Sequence, residues 1–128
     1  MESFRHPAHI LVVDDEPRIA EIATEMLLHA GFIANFALDA AAAIQVVKDA
    51  PKLDLLFTDI VMPKINGFRL AAMSITLRQE LRILYATAYG DLAGQLVAAG
   101  EPSAHIVNKP YRQDDLIEAV RDTLRRVV

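Results

Sequence analysis

Short apolar runs alternate along the chain with longer stretches in which apolar residues recur every three or four positions. The runs predict buried β-strands, and the periodic stretches predict amphipathic helices. The predicted strands span 9–13, 33–36, 53–58, 82–87 and 104–108, and the predicted helices span 17–30, 40–48, 68–77, 90–99 and 113–127. Strands that are apolar throughout and separated by helices indicate an α/β fold in which helices cover both faces of a parallel sheet. Right-handed crossovers favour the doubly wound arrangement of such a (βα)5 chain.

Local signals support these helix boundaries. Pro17 stands at a first helical position, Gly31 stops the first helix, and Asp39 is the predicted N-cap of the second helix. The first helix carries an apolar stripe that we expect to be buried, with Leu28 outside it; the stripe consists of Ile19, Ile22, Ala23, Met26, Leu27 and Ala30. Residues 1–8 are interpreted as a short extension, and residues 9–128 as a single domain.

Composition narrows the class of protein. The 128 residues hold no cysteine, which excludes disulfides, thiolate metal sites and a cysteine nucleophile. There are 17 acidic and 13 basic residues, a net charge of −4, so direct nucleic-acid binding is not expected. No signal peptide or membrane-spanning run is visible, and we expect a cytoplasmic protein with no membrane contact. The four histidines show no metal-ligand spacing.

Polar side chains follow four of the five predicted strands. Asp14 and Asp15 follow the first strand, Asp59 the third and Lys109 the fifth, while Thr87 ends the fourth. In doubly wound sheets, ligands bind beyond the carboxyl ends of the strands, so these groups are expected to converge. Converging carboxylates repel one another unless a cation joins them, and an all-oxygen ligand set suits Mg²⁺.

The same set suits phosphoryl chemistry. A lysine and a threonine hydroxyl bind phosphoryl oxygens, and a carboxylate can act as the nucleophile that forms an acyl phosphate. Each residue alone has a simpler interpretation as a turn, a helix cap or a solvated loop. Their joint placement at matching strand ends favours the functional interpretation.

These residues lie in segments that resemble the receiver domain of two-component response regulators. The matching motifs are ILVVDDEP, LLFTDIVMPKINGF, ILYATAY and IVNKPY, within residues 9–127. The resemblance implies the flavodoxin-like fold with strand order 2-1-3-4-5. It further implies that the protein is a phosphoacceptor switch that assists its own phosphorylation and dephosphorylation, and not an enzyme in the ordinary sense.

The resemblance also implies roles for individual residues. Asp59 corresponds to the phosphoryl acceptor, Thr87 to the switch hydroxyl, and Lys109 to the lysine that pairs with phosphate. Asp14, Asp15, Asp59 and the backbone carbonyl of Val61 correspond to the protein ligands of Mg²⁺. Pro110 corresponds to the proline that follows the lysine through a cis bond. Pro63 and Gly67 match the loop beside the acceptor.

The chain departs from the family pattern at several positions. Ile106 stands where an aromatic switch residue is usual; His105 and Tyr111 flank it and are interpreted as partly exposed surface residues, with substitution for the aromatic as the alternative. The segment AGEPSAH predicts that the fourth helix ends early and that its loop is longer. Val61 and Tyr89 occupy positions that tune phosphoryl lifetime, and neither orients a hydrolytic water. We therefore expect a stable phosphoryl state.

The sequence thus predicts a stand-alone receiver domain. It would take a phosphoryl group from a sensor histidine kinase or a histidine phosphotransfer protein, docked at the first helix. It would contact a downstream effector through its fourth helix, fifth strand and last helix, as a monomer or a phosphorylation-promoted dimer. The alternatives are a receiver cut from a hybrid histidine kinase, a Mg²⁺-dependent aspartyl-phosphate phosphohydrolase, and a degenerate interaction domain that needs no phosphate.

Overall fold

A computed structural model describes residues 7–88 and 105–125 of the chain. The elements in that part are β1 (His9–Val13), α1 (Pro17–His29), β2 (Ile33–Ala37), α2 (Ala40–Asp49), β3 (Leu55–Asp59), α3 (Gly67–Leu77), β4 (Arg82–Thr87), β5 (His105–Asn108) and a final helix, α4 (Gln113–Arg125). The helix predicted at 90–99 and the longer loop predicted after it lie outside the described residues.

The five strands form one parallel sheet in the order β2-β1-β3-β4-β5. This order confirms the predicted α/β class and the strand order that the resemblance implies. Because all strands run in the same direction, their carboxyl ends meet at one edge of the sheet.

The core has two layers because side chains on a strand alternate between the faces of the sheet. On one face, Ile10 and Val12 of β1 pack in a cluster that includes Leu27 of α1 and Leu116 of α4. The other face presents Leu11 and Val13 to a cluster that includes residues of α2 and α3, among them Val47 and Leu70. Burial on both faces explains why β1 reads as a continuous apolar run.

The strand boundaries differ from the prediction at β3. The sequence placed this strand at 53–58 with Asp59 beyond it, whereas the strand runs from Leu55 to Asp59. Pairing explains the shift: Leu55 is the first residue of β3 in register with both β1 and β4, and Asp59 is in register with Ala86. Asp59 is therefore held by the sheet itself.

The predicted stripe of α1 is partly wrong. The buried residues are Ala20, Ala23, Thr24 and Leu27, whereas Ile22 is 46% exposed. Leu27 and three smaller residues face the sheet, whereas Ile22 and Ile19 lie beside a cleft at the carboxyl edge. Leu28 is 50% exposed, as expected.

Side-chain caps fix the starts of two helices. The carboxylate of Asp39 accepts a hydrogen bond from the backbone N–H of Ala42 at 2.8 Å, which confirms the predicted N-cap of α2. Asn66 caps α3 in the same way by accepting from the N–H of Arg69 at 2.9 Å. Because Asn66 anchors α3, the loop between β3 and α3 has fixed ends on both sides.

Candidate functional site

Sheet register brings the sequence-predicted groups to one edge. Val13 is paired with Thr58, so the residues that follow them, Asp14 and Asp59, come from adjacent strands. Thr87 is paired with Asn108, and the backbone N–H of Lys109 donates to the carbonyl of Thr87 at 2.8 Å. Four strands thus place a carboxylate, a hydroxyl or an ammonium group at neighbouring positions.

The Lys109 ammonium lies between two carboxylates. Its Nζ is 2.8 Å from Oδ2 of Asp14 and 3.1 Å from Oδ2 of Asp59. Asp14 and Asp59 are only 3% and 8% exposed. Since burial removes most of the water that would screen these charges, this ion triad has a stronger field than a surface salt bridge.

Asp15 completes a group of three carboxylates. One oxygen of each of Asp14, Asp15 and Asp59 lies within 4.8 Å of the others. Asp15 is exposed, so the group opens to solvent on one side. Three carboxylates against one lysine leave an excess of negative charge, and their hard oxygen atoms without histidine or cysteine fit Mg²⁺.

Burial and neighbouring charges shift the pKa values of Asp59 and Lys109. Burial raises the pKa of Asp59, opposed chiefly by its hydrogen bond from Lys109. Burial alone would lower the pKa of Lys109, but hydrogen bonds and charge from Asp14 and Asp59 outweigh it, and the pKa is raised. At neutral pH the lysine is therefore firmly protonated, and its charge stabilises the ionised Asp59 carboxylate, which burial alone disfavours.

The loop after β3 is shaped by a steric constraint at Gly67. A Cβ atom at this position would lie 2.2 Å from the carbonyl oxygen of Asp59 and 3.0 Å from Cα of Ile60. The N–H of Gly67 also donates to the carbonyl of Ile60 at 2.8 Å. Glycine is thus required for the close approach of α3 to the end of β3, and it fixes the backbone on which Asp59 stands.

A cleft of about 610 Å³ lies beside the carboxyl ends of the strands. The peptide bond between Lys109 and Pro110 is cis, as the resemblance implies. Apolar residues line much of the cleft beside Asp15, Asp59 and Lys109; they include Ile19, Ile22, Met26, Val61, Pro110 and Tyr111. The sequence did not predict this cleft, because Ile19, Ile22 and Met26 had the spacing of core residues.

Aromatic packing near the site differs on the two faces of the sheet. The ring of Tyr111 meets that of Phe57 edge-on, with centroids 5.7 Å apart. Burial, followed by the charge of Asp14, raises the pKa of Tyr111 to about 12. Tyr111 is partly exposed, as interpreted from the sequence, and its ring also packs against the core.

The other face carries Ile106 in a small cluster around Tyr85. Ile106 packs on this cluster together with Phe68, and the rings of Phe68 and Tyr85 meet edge-on at 5.3 Å. The sequence missed this aromatic pair, since Phe68 and Tyr85 read only as members of an α-helix and a strand. Tyr89, proposed from the resemblance to tune phosphoryl lifetime, lies outside the described residues.

Comparison with known proteins settles the family. A family model described as the response regulator receiver domain matches residues 10–121. The chain belongs to the response regulator receiver domain family. It is therefore a receiver domain of two-component signalling.

Curated relatives of this receiver domain include proteins of different lengths. The transcriptional regulatory protein GlrR of Escherichia coli (strain K12) is 27% identical over 94% of this chain but only 27% of that protein. The response regulator receiver protein CpdR of Brucella abortus (strain 2308) is 26% identical over 90% of this chain and 95% of that protein. The chain thus spans about a quarter of one relative and nearly all of another.

Solved structures show the same fold. A CheY-like receiver domain protein from Methanospirillum hungatei JF-1 has a TM-score of 0.80 at 24% identity, covering 92% of this chain and 94% of that one. The receiver domain of the hybrid histidine kinase CckA has a TM-score of 0.77 at 24% identity, covering 92% and 100%. Within the described residues, every helix is too short or too polar to cross a bilayer.

Proposed function

We propose that this receiver domain accepts a phosphoryl group on Asp59 from a phosphohistidine of a sensor histidine kinase or a histidine phosphotransfer protein, in a Mg²⁺-dependent reaction. The observation that carries the proposal is the double contact of the Lys109 ammonium with Asp14 and Asp59, at 2.8 and 3.1 Å. This contact joins the carboxylate at the end of β3 to a cation suited to phosphoryl oxygens.

In the proposed reaction, a carboxylate oxygen of Asp59 attacks phosphorus and the P–N bond to the donor imidazole breaks. The imidazole keeps the electron pair of that bond and, with a proton on its other nitrogen, leaves as a neutral ring. The product is a mixed anhydride, an aspartyl phosphate. Mg²⁺, bound by Asp14, Asp15, Asp59 and the Val61 carbonyl, would offset the negative charge of the transferring group.

Lys109 and Thr87 would hold the new group. The Lys109 ammonium already contacts the Asp59 oxygen that we expect to come next to the phosphoryl oxygens. Thr87 is 1% exposed at the end of β4, and its backbone carbonyl is bonded to the N–H of Lys109. A movement of either side chain towards the phosphoryl group would therefore shift the backbone at the ends of both β4 and β5.

Two surfaces would serve partners, which makes the proposed protein a switch of protein–protein contacts. The donor would dock on α1 and on the apolar cleft beside Asp59, where Ile22 and Leu28 are half exposed. An effector protein would meet β5, α4 and the segment predicted as the helix 90–99, with the receiver domain as a monomer or a phosphorylation-promoted dimer. We place this activity in the cytoplasm, with no direct contact to nucleic acid.

The phosphoryl state is proposed to be long-lived. Val61 lines the cleft and is 48% exposed, and its side chain has no group that orients an attacking water. The resemblance assigns the same kind of role to Tyr89. An unaided acyl phosphate in such a site would persist until a partner removes it.

The test is incubation with a small acyl-phosphate donor and Mg²⁺, followed by intact-mass measurement. We expect one added phosphoryl group, which disappears on chelation of Mg²⁺ before the reaction and in Asp59→Asn. Asp54→Asn is the matched control, because Asp54 precedes β3 at the other end of the strand and its carboxylate accepts from the N–H of His9. Modification of Asp59→Asn to the same extent would overturn the assignment.

This experiment and two further assays separate the alternatives. Continuous phosphate release from unrelated phosphoesters would indicate an aspartyl-phosphate phosphohydrolase. Absence of modification in the wild-type protein would indicate a degenerate interaction domain. Phosphotransfer from an autophosphorylated kinase domain encoded in the same polypeptide would identify a receiver of a hybrid histidine kinase.

A further inference from the structure

The outer edge of β2 is a second feature of the fold, distant from the acidic group. β2 ends the sheet, and within residues 7–88 and 105–125 its only strand neighbour is β1. The N–H of Ile33 donates to Ala8, and the carbonyl of Ala37 accepts from Asp14. Because backbone groups alternate in direction along a strand, Ala34 and Phe36 point their N–H and C=O groups away from β1.

In the part of the chain that the structure describes, this edge has none of the usual protection against strand pairing. Natural proteins block free edges with charged residues, proline or bulges. Residues 32–38, FIANFAL, include no charged residue and no proline. Ile33 and Phe36 are 47% and 37% exposed, so the edge combines unpaired backbone groups with apolar side chains.

The edge is complementary to itself under a two-fold rotation. An antiparallel pairing centred on Asn35 places Ala34 opposite Phe36 of the other copy and Ile33 opposite Ala37, so that each large side chain meets a small one. Ala34 and Phe36 then exchange backbone hydrogen bonds in both halves of the pair. Two-fold pairing closes on itself, whereas head-to-tail addition would continue into a filament.

We propose that the β2 edge pairs with the β2 edge of a second copy of this chain, in antiparallel register around Asn35, to form a ten-stranded sheet. A five-residue strand buries much less area than a stable interface needs, so the dimer is weak and forms at high local concentration. The pairing does not involve Asp59 and is independent of its phosphorylation.

The proposal is tested by disulfide trapping. Asn35 is the only residue that faces itself, and residues directly opposite at such a non-bonded position have Cα atoms about 4.5 Å apart, within disulfide range. The natural chain has no cysteine, so Asn35→Cys carries a single thiol. The control is Leu77→Cys, which is 46% exposed on α3 before substitution. We expect Asn35→Cys to form disulfide dimers about tenfold faster, because pairing raises the local thiol concentration.

Two further substitutions probe the backbone pairing. Ala34→Pro removes an N–H that points away from β1, so it blocks the new pairing and leaves the sheet intact. Phe36→Lys places a charge at the edge. We expect either change, added to Asn35→Cys, to lower trapping to the rate of Leu77→Cys. Equal rates for the two cysteine variants, or trapping that survives both edge substitutions, would overturn the proposal.

A measurement without cysteine variants distinguishes loss of pairing from a folding defect. Sedimentation equilibrium at near-millimolar concentration compares the wild-type chain with Ala34→Pro, whose secondary structure is checked by circular dichroism. We expect a concentration-dependent dimer in the wild type and a monomer in the variant, both unchanged by Asp59→Asn. A wild-type chain that stays monomeric at this concentration would also overturn the proposal.

Discussion

Replacement of Gly67 by alanine tests how loop packing affects Asp59, the proposed phosphoryl acceptor. The added Cβ would lie 2.2 Å from the carbonyl oxygen of Asp59, whereas ordinary contact begins near 3.4 Å, so the backbone has to move by about 1.2 Å. The obstacles are backbone atoms of Asp59 and Ile60, which cannot turn away as a flexible side chain would. Gly67→Ala therefore displaces either α3 or the end of β3.

The size of the effect follows from this overlap. Overpacking in a tight interior costs about 1–3 kcal/mol, and a backbone obstacle places Gly67→Ala at the upper end, about 3 kcal/mol. For a domain of this size that loss lowers Tm by about 10 °C. A displacement near 1 Å at a reacting group reduces rates by about 100-fold, so phosphorylation of Asp59 should slow by a similar factor.

Urea unfolding and the rate of phosphorylation by a small acyl phosphate measure the two effects. The control is Gly31→Ala, where the added Cβ meets nothing within 4 Å and the cost arises only from the positive φ of +100°. We expect a loss of about 1–2 kcal/mol in that control and no change in phosphorylation rate. If Gly67→Ala were as stable as the wild type and were phosphorylated at the same rate, the proposed role of this close approach would be refuted.

Three further predictions concern the acidic group. Because burial raises the pKa of Asp59, its ionised form destabilises the fold above that pKa. In urea unfolding at pH 7 to 8, Asp59→Asn should therefore be more stable than the wild type, and the difference in stability should shrink as pH falls through the raised pKa. A difference that grows on acidification would contradict this. Mg²⁺ at 100 times its Kd should stabilise the wild type by about 2.7 kcal/mol and Asp15→Asn by clearly less. Equal increases in Tm for the two proteins would show that Asp15 is not a Mg²⁺ ligand. Val61→Asn should shorten the half-life of the phosphorylated protein, measured by mass against time, with little change in stability because Val61 is 48% exposed; an unchanged half-life would count against a role for this position.

Much of the architecture was predictable because it depends on local sequence. The alternation of apolar runs and helical periodicity predicted the class of the fold. Asp39 predicted the start of α2, because an N-cap binds the backbone of the next few residues. The same pattern placed Asp14, Thr87 and Lys109 at strand ends. In a parallel sheet this position alone assigns them to one edge.

Tertiary structure decided what depends on residues distant in the sequence. The contact of Lys109 with Asp14 joins residues 95 positions apart, and strand order and register determine its length. The exposure of Ile22 depends on which side of α1 meets the sheet, and helical spacing leaves that choice open. The need for glycine at position 67 arises from the backbone of Asp59 across the loop. Sequence thus determined which chemical groups the edge of the sheet receives, whereas packing between distant segments determined their distances, burial and charge.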